Sequence, residues 1–304
     1  MDPQPALADA LNQFAVAPSV VDPAWSVAGA GVGSEGIVET LRDELATKFP
    51  GFSPEYLPQA IHPDALFAYG YLSKNLKFHT AFAAREGNFG GSRVRTFGLD
   101  GNPFGDDPAR IAQVVVHDWI APKNFVVELV TEDTDSQLIV AQIPPAETLA
   151  ATAAMATSRL GTFLGAAPRL ARDEVLSIPS LALDVEESFV DLAGRPMLTE
   201  QIRGKCFDVA KQRVQLYMND VGAGITSEAI LTGYGPPPAR SFDVSQPFLV
   251  LMLRRGASSP YLAAWIESPA WMEVLSRAEP AVPEGFHGPA GFGPFPGFGP
   301  PRGG

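Results

Sequence analysis

Short apolar runs, each about the length of a β-strand and bounded by turn residues, recur along the chain from residue 65 onwards. Runs of this length, flanked by Gly, Pro, Asn or Asp, predict buried or half-buried strands. They lie at 65–72, 114–120, 125–130, 138–143, 174–192, 213–218, 247–253 and 260–267. The series therefore predicts that the chain from residue 65 onwards is rich in β-strands.

Helical periodicity appears in three segments, two of which precede the strands. Residues 5–14 and 37–49 carry apolar side chains at spacings of three and four, and the second segment ends at Pro50. Residues 146–165 are rich in alanine and leucine, which favour a helix. Helices that cluster early and strands that cluster late predict the α+β class.

The end of the chain has a different composition from the rest. Residues 279–304 are dominated by Gly, Pro and Phe and show no hydrophobic periodicity. Such a segment buries too little surface to offset the entropy lost on ordering, so we expect a disordered tail. Residues 1–278 are expected to form a single domain.

Charge and cysteine content limit the possible partners. The formal net charge is -12, and an acidic surface repels both nucleic acid and anionic membranes. No apolar run has the length of a membrane-spanning helix, and the first residues lack the features of a secretory signal. Cys206 is the only cysteine, which excludes an internal disulfide. We therefore expect a cytoplasmic protein without nucleic-acid or membrane partners.

One glycine motif suggests a nucleotide site. Residues 31–36 match the pattern G-x-G-x-x-G of dinucleotide-binding units, in which the pyrophosphate lies at a helix N-terminus. No second parallel strand ending in a ribose-binding acid follows the helix, however. A glycine-rich loop with Ser34 capping the helix explains the same residues. A dinucleotide-dependent enzyme is therefore the third-ranked hypothesis.

No other arrangement of residues is typical of an enzyme active site. The histidines do not have a metal-binding spacing, and no nucleophilic serine lies in a G-x-S-x-G turn. Cys206 has no neighbouring histidine in the sequence. We expect no catalytic residues, no metal and no cofactor, and hence a protein that is not an enzyme.

An ordered series of segments resembles the serpin family of serine protease inhibitors. Residues 242–252 (FDVSQPFLVLM) are similar to the stretch that ends the serpin reactive loop and begins the penultimate strand. Residues 259–269 (SPYLAAWIESP) are similar to the final strand of that family. Three earlier segments resemble, in the family's order, its central strand, a hairpin and a proline-containing strand: 65–82, 125–145 and 176–194.

The resemblance covers residues 65–269 and implies a fold and a mechanism. The implied fold is a serpin-like α+β domain with N-terminal helices, a mixed central sheet and a second, C-terminal sheet or barrel, shortened at its N-terminus. The implied activity is inhibition as a suicide substrate: a serine protease attacks an exposed reactive loop, which then inserts into the main sheet. The implied partner is an unidentified serine protease, and the implied inhibitor is a monomer. The resemblance also leaves an extracellular location open.

The implied reactive loop lies between the strand at 213–218 and Pro247. Its hinge falls on Gly222, Ala223, Gly224, Ile225, Thr226 and Ser227. In an inserted strand that starts at Gly222, the side chain of Ile225 points inward and that of Thr226 points outward. The candidate scissile region comprises Tyr234, Gly235, Pro236, Arg240 and Ser241. Within it, Tyr234–Gly235 and Arg240–Ser241 are the two candidate cleavage bonds.

The implied loop also departs from the family pattern. Ala223 and Gly224 stand where the family has threonine and glutamate, and glycine weakens strand pairing. The three prolines at 236–238 favour a stiff polyproline II conformation. The alternative is a non-inhibitory serpin-fold binding protein that has lost loop insertion and uses this loop and the tail as docking segments.

Overall fold

A computed structural model of the chain shows an α+β protein in which antiparallel sheets predominate. The structure describes residues 22–74, 76–102, 104–163, 168–188, 195–197, 200, 203–207, 211–220 and 240–275. The helices in this part of the chain are α1 (Ile37–Lys48), α2 (Pro108–Ala112) and α3 (Leu149–Ser158). The strands are β1 (Ser26–Val32), β2 (Leu66–Leu72), β3 (Ala83–Phe89), β4 (Ser92–Asp100), β5 (Val114–Ala121), β6 (Asn124–Leu129), β7 (Ser136–Gln142), β8 (Val175–Pro179), β9 (Leu181–Ser188), β10 (Lys211–Met218), β11 (Ser241–Asp243), β12 (Phe248–Arg254) and β13 (Leu262–Ile266). The predicted α+β class is confirmed.

The largest sheet among the described residues has five antiparallel strands in the order β13-β12-β7-β6-β5. It contains the two hairpins that the sequence predicts, β6–β7 and β12–β13. Both faces of its central strands are covered: Val127 and Val250 face the main core, whereas Ile139 and Leu251 pack beneath α3. Burial on both faces explains why these strands are almost continuously apolar in the sequence.

A four-stranded sheet, in the order β11-β8-β4-β3, shares the main core with the five-stranded sheet. Its β3–β4 hairpin is absent from the sequence-based expectations, because its strands are polar along much of their length. The turn does carry a signal: Gly90 and Gly91 both have positive φ angles of 56° and 88°, as a two-residue hairpin turn requires. The Gly-Gly pair is therefore the feature of the sequence that could have predicted this hairpin.

The predicted mixed central sheet is divided within the described residues. β1 and β2 form one two-stranded antiparallel sheet, and β9 and β10 form another. No backbone ladder joins β2 to β10 in the part of the chain that the structure describes. Leu216 and Met218 of β10 are buried in the main core, so this pair of strands covers one side of that core.

The β1–β2 pair and α1 form a small unit with its own core. Val38, Leu41 and Leu45 of α1 are buried against the two strands. Gly29 lies under Leu41, and a Cβ at this position would come within 3.1 Å of the leucine side chain. The helix therefore crosses closely over the glycine-rich strand that precedes it.

Most predicted elements are present, with boundaries that local signals explain. α1 and the strand at 66–72 match their predictions, but the strand predicted at 174–192 is two strands that separate at Ser180 and enter different sheets. The helix predicted at 146–165 is shorter, because Thr148 caps its start and Gly161 has a left-handed φ of 71°. The predicted helix at 5–14 and the tail at 279–304 lie outside the described residues. None of the described helices combines the length and apolarity needed to cross a membrane.

Candidate functional site

The implied reactive loop corresponds to a segment between two described positions, Asp220 and Arg240. The predicted hinge residues Gly222, Ala223, Gly224, Ile225, Thr226 and Ser227, and the predicted scissile residues Tyr234, Gly235 and Pro236, lie outside the described residues. Arg240 and Ser241 are described. The two ends of the segment therefore define the structural surroundings of the candidate site.

The downstream end is held by a largely buried ion pair. The guanidinium of Arg240 pairs with the carboxylate of Glu174, with a distance of 2.8 Å between Nη2 and Oε2 and a second, shorter contact from Nε. The two side chains are only 11% and 4% exposed. Glu174 also accepts a hydrogen bond from the backbone of Ala171, and Arg240 lies over the ring of Phe242. An arginine engaged in this way does not present its side chain to a protease pocket.

Ser241 begins a paired strand. β11 lies parallel to β8, with Ser241 opposite Val175. Phe242 is fully buried and packs edge-on against Phe125 of the five-stranded sheet, with ring centroids 5.2 Å apart. The chain thus enters the main core immediately after Arg240, and the Arg240–Ser241 bond forms part of the folded domain.

The upstream end follows β10, a strand that pairs on one side only among the described residues. Among the described residues, β10 is hydrogen bonded only to β9, and β2 only to β1. Just beyond β10, the carbonyl of Asp220 accepts a hydrogen bond of 2.8 Å from the backbone N–H of Phe82, the residue before β3. The chain at the end of β10 therefore lies beside the start of the four-stranded sheet.

The glycine motif at 31–36 has a structural explanation. β1 and β2 flank α1 but pair antiparallel, so the parallel strand–helix–strand unit of a dinucleotide site is not formed. A Cβ on Gly33 would lie 2.2 Å from the carbonyl oxygen of His62, which requires glycine there. The expected cap by Ser34 is wrong: the N-cap is Gly36, in the left-handed conformation with φ 73°. The chain ahead of α1 turns through Gly33–Glu35 in a short 3-10 helix, which moves Ser34 away from the capping position.

A buried polar cluster lies between β5, β6 and α3. Nδ1 of His117 accepts the backbone N–H of Gly161, so Nε2 carries the hydrogen and donates it to Glu128 over 3.0 Å. Gln137 and Arg255 also donate to this carboxylate. Burial raises the pKa of Glu128, but these hydrogen bonds and the charge of Arg255 outweigh it and lower the pKa to about 2.

This cluster has a structural role. Each oxygen of Glu128 has a donor, and both ring nitrogens of His117 are engaged, so neither group is available to a substrate. In the described part of the chain, no three or more His, Cys, Asp or Glu side chains are grouped as metal ligands. The sequence patterns do not reveal the Arg240–Glu174 pair or the Glu128 cluster, because their partners are far apart in the chain.

Comparison with known proteins yields matches only among solved structures. No family model matches the chain, and no curated protein matches it in sequence. Serpin48 of the insect Tenebrio molitor, described as a highly specific serpin, is 14% identical over 77% of this chain and 65% of its own, with a TM-score of 0.43. A serpin from Schistosoma mansoni is 13% identical over 75% and 62%, with a TM-score of 0.45. Manduca sexta serine protease inhibitor (serpin)-12 is 12% identical over 88% and 82%, with a TM-score of 0.47.

The chain spans less than two thirds of the length of the first two of these serpins. The described residues form a mixed α+β architecture with several sheets. At identities this low and TM-scores below 0.5, the likeness carries no activity, substrate or partner over to this chain.

Proposed function

We propose that this chain is a serpin-like inhibitor of serine proteases, which presents the segment between Asp220 and Arg240 as a substrate loop. After cleavage the upstream part of the loop pairs with β10 as an additional strand. The protease remains covalently attached to the cleaved loop as an acyl-enzyme and moves with the loop. The proposal combines the resemblance of the sequence segments with the geometry at the two ends of this segment.

The observation that carries the proposal is the edge of β10 that has no partner strand among the described residues. An unpaired strand edge exposes a row of N–H and C=O groups that favours the addition of another strand. The segment leaves directly from the end of β10, so it needs only a tight reversal at Gly222 to run antiparallel to that strand. The sequence alternation places small or apolar side chains such as Ile225 on the inner face of the added strand.

The contacts of Arg240 favour cleavage upstream of the folded domain. A trypsin-like protease needs the arginine side chain in its specificity pocket, but this one is paired with buried Glu174. Ser241 is already paired with Val175 in β11. Of the two candidate cleavage bonds, we therefore propose Tyr234–Gly235 as the scissile bond, which suits a chymotrypsin-like protease.

The test is incubation of the chain with chymotrypsin. We expect an SDS-stable complex of the combined mass, cleavage after Tyr234, and a melting temperature at least about 10 °C higher for the cleaved chain, because the added strand pairs the open edge of β10. Tyr234→Ala should abolish the complex. Clean cleavage with neither complex nor thermal shift would support the alternative, a non-inhibitory binding protein of the same fold.

Two neighbouring substitutions separate insertion from simple cleavage. Ile225→Arg places a charge on the inner face of the inserted strand, whereas Thr226→Arg places it on the solvent face. We expect Ile225→Arg to be cleaved without forming the complex, and Thr226→Arg to form it at nearly the original yield. Equal complex yields from the two variants would contradict strand insertion.

A further inference from the structure

Phe104 is the most exposed large apolar side chain among the described residues, at 98% of its possible surface. It stands in the connection between β4 and α2, here named the Phe104 loop and comprising residues 100–102 and 104–107. A fully exposed phenylalanine contributes nothing to the core. Exposed aromatic side chains of this kind are typical anchors of protein–protein contacts.

Hydrogen bonds fix the shape of this loop. The carboxylate of Asp106 accepts the backbone N–H groups of Asp100 and Asn102, and the Asn102 side chain accepts that of Phe104 over 3.0 Å. The backbone N–H groups of Gly105 and Asp106 both donate to the carbonyl of Asn102. The aromatic ring is therefore presented by a preformed turn, which lowers the entropy lost on binding.

The Phe104 loop lies beside the downstream end of the 221–239 segment. Asp100 is opposite Val175, which in turn is opposite Ser241, so Asp100 and Ser241 lie two strand spacings apart, about 10 Å. Gly101 packs so closely on the turn before β8 that a Cβ would lie 2.9 Å from the carbonyl oxygen of Asp173. The next residue along is Glu174, the partner of Arg240.

The loop combines an apolar tip with an acidic base. Asp100 and Asp107 are exposed and Asp106 is half-buried, and one of the three, Asp100, is paired with Arg85. Asp107 caps α2 by accepting the backbone N–H of Ala109, and it is exposed at the surface. The complementary surface is an apolar hollow bordered by basic side chains.

From this placement we propose that the Phe104 loop is a second docking point for the protease that engages the 221–239 segment. The inference rests on the proposed function and extends it to the choice of protease. A protease bound to the segment lies next to the loop, because the segment re-enters the domain at Arg240. Phe104 fills an apolar hollow on a protease whose neighbouring surface is basic, and so raises the rate of productive encounter.

The test is the second-order rate constant for cleavage between Asp220 and Arg240 by a cationic chymotrypsin. Phe104→Ala should lower it about 10-fold, as expected for an anchor residue, while Phe104→Trp keeps it within about 2-fold of the original. The control is Ile120→Ala, which removes another exposed apolar side chain, 62% exposed, at the far end of β5. Fragment masses separate cleavage after Phe104 itself from cleavage in the segment.

The outcomes distinguish this inference from the proposed function. An SDS-stable complex that forms equally fast with the Phe104→Ala variant would overturn the docking point and leave inhibition intact. Cleavage that slows with Phe104→Ala but yields no complex would support the docking point and reject the trap. If chymotrypsin does not cleave the segment at all, both are wrong. Unchanged melting temperature for the variant confirms that the loop change leaves the fold intact.

Discussion

Glu128 shows how a single residue is determined by neighbours that are distant in the sequence. Its carboxylate is buried and receives hydrogen bonds from His117, Gln137 and Arg255, which lie on three different strands or turns. Burial alone would raise the pKa of this carboxyl group above its ordinary value. With these donors it remains charged and ties together β5, β6, β7 and the turn after β12.

The lowered pKa of Glu128 predicts loss of stability in acid. The folded pKa is about 2 and the ordinary value 4.5, so the stabilisation is complete above pH 4.5 and is lost as the pH falls towards 2. The linked contribution is about 3 kcal/mol. Glu128→Gln should therefore unfold more easily at neutral pH and show a flatter decline of the unfolding free energy between pH 4.5 and 2 in urea titrations.

The control for this measurement is Glu132→Gln, which removes a carboxylate whose pair with Lys77 is 3.6 Å long and exposed. It should change the unfolding free energy by less than about 0.5 kcal/mol. If the unfolding free energies of the Glu128→Gln variant and the original chain decline in parallel between pH 4.5 and 2, the charge of Glu128 contributes little to stability in acid.

At the scale of elements, β11 depends on a contact that its own sequence does not contain. The strand is only three residues long and pairs on one side with β8. Such a short strand has little stability of its own. The ion pair of Arg240 with Glu174 and the burial of Phe242 fix its start to the rest of the four-stranded sheet.

Removing the charge of Glu174 should therefore loosen the start of β11. Glu174→Gln leaves Arg240 largely buried without its counter-ion, and we expect the unfolding free energy to fall by about 3 kcal/mol in urea denaturation. Trypsin should then cleave after Arg240 in the folded variant but not in the original chain. Glu86→Gln, which breaks an exposed pair with Arg93, is the control and should cost less than about 0.5 kcal/mol. Trypsin cleavage after Arg240 in the unmodified folded chain would contradict this account.

The elements differ in how far the sequence predicts them. β12 and β13 are clear because both strands are apolar, and α1 is clear because its buried residues follow the helical period. β8 and β9 read as one strand because the alternation continues past Ser180, where the chain changes sheets. β3 and β4 are missed because arginine and glutamate side chains lie on their solvent side, which hides the strand pattern.

At the scale of the whole molecule, the β1–β2–α1 unit joins the five-stranded sheet through a few specific contacts. The Trp25 ring packs on Tyr261 with centroids 4.7 Å apart, and Lys74 lies over the same tryptophan ring at 5.1 Å. Lys74 also pairs with Asp133 in the β6–β7 turn. The unit has its own separate core, so these contacts carry much of the coupling between the two parts.

Trp25→Ala should weaken that coupling. We expect amide hydrogen exchange to accelerate by about 10-fold or more in β1, β2 and α1, with little change in the five-stranded sheet, because the unit then opens on its own. Phe52→Ala is the matched control, because its ring stacks on Tyr71 within the same unit. If exchange in both parts rises together in the Trp25 variant, the molecule opens as one cooperative body and the division is wrong.

The candidate site follows the same division between sequence and structure. The order of the strands on either side of the 221–239 segment could be predicted, because it depends on local hydrophobic patterns. The assignment of this segment as a reactive loop stays a prediction. That Arg240 is paired with Glu174, and that Phe104 stands beside it, could not be predicted. Both depend on strands that are adjacent in the sheet and 66 or more residues apart in the chain.

The sequence alone determined the α+β class, most of the strands and the order in which they follow one another, since hydrophobic period and turn residues act over a few neighbouring positions. Only the tertiary structure decided which strands share a sheet, which edges stay unpaired and which charges are buried together. Those features depend on pairing between distant segments, whose free energy is set by burial and backbone hydrogen bonds that no local pattern encodes.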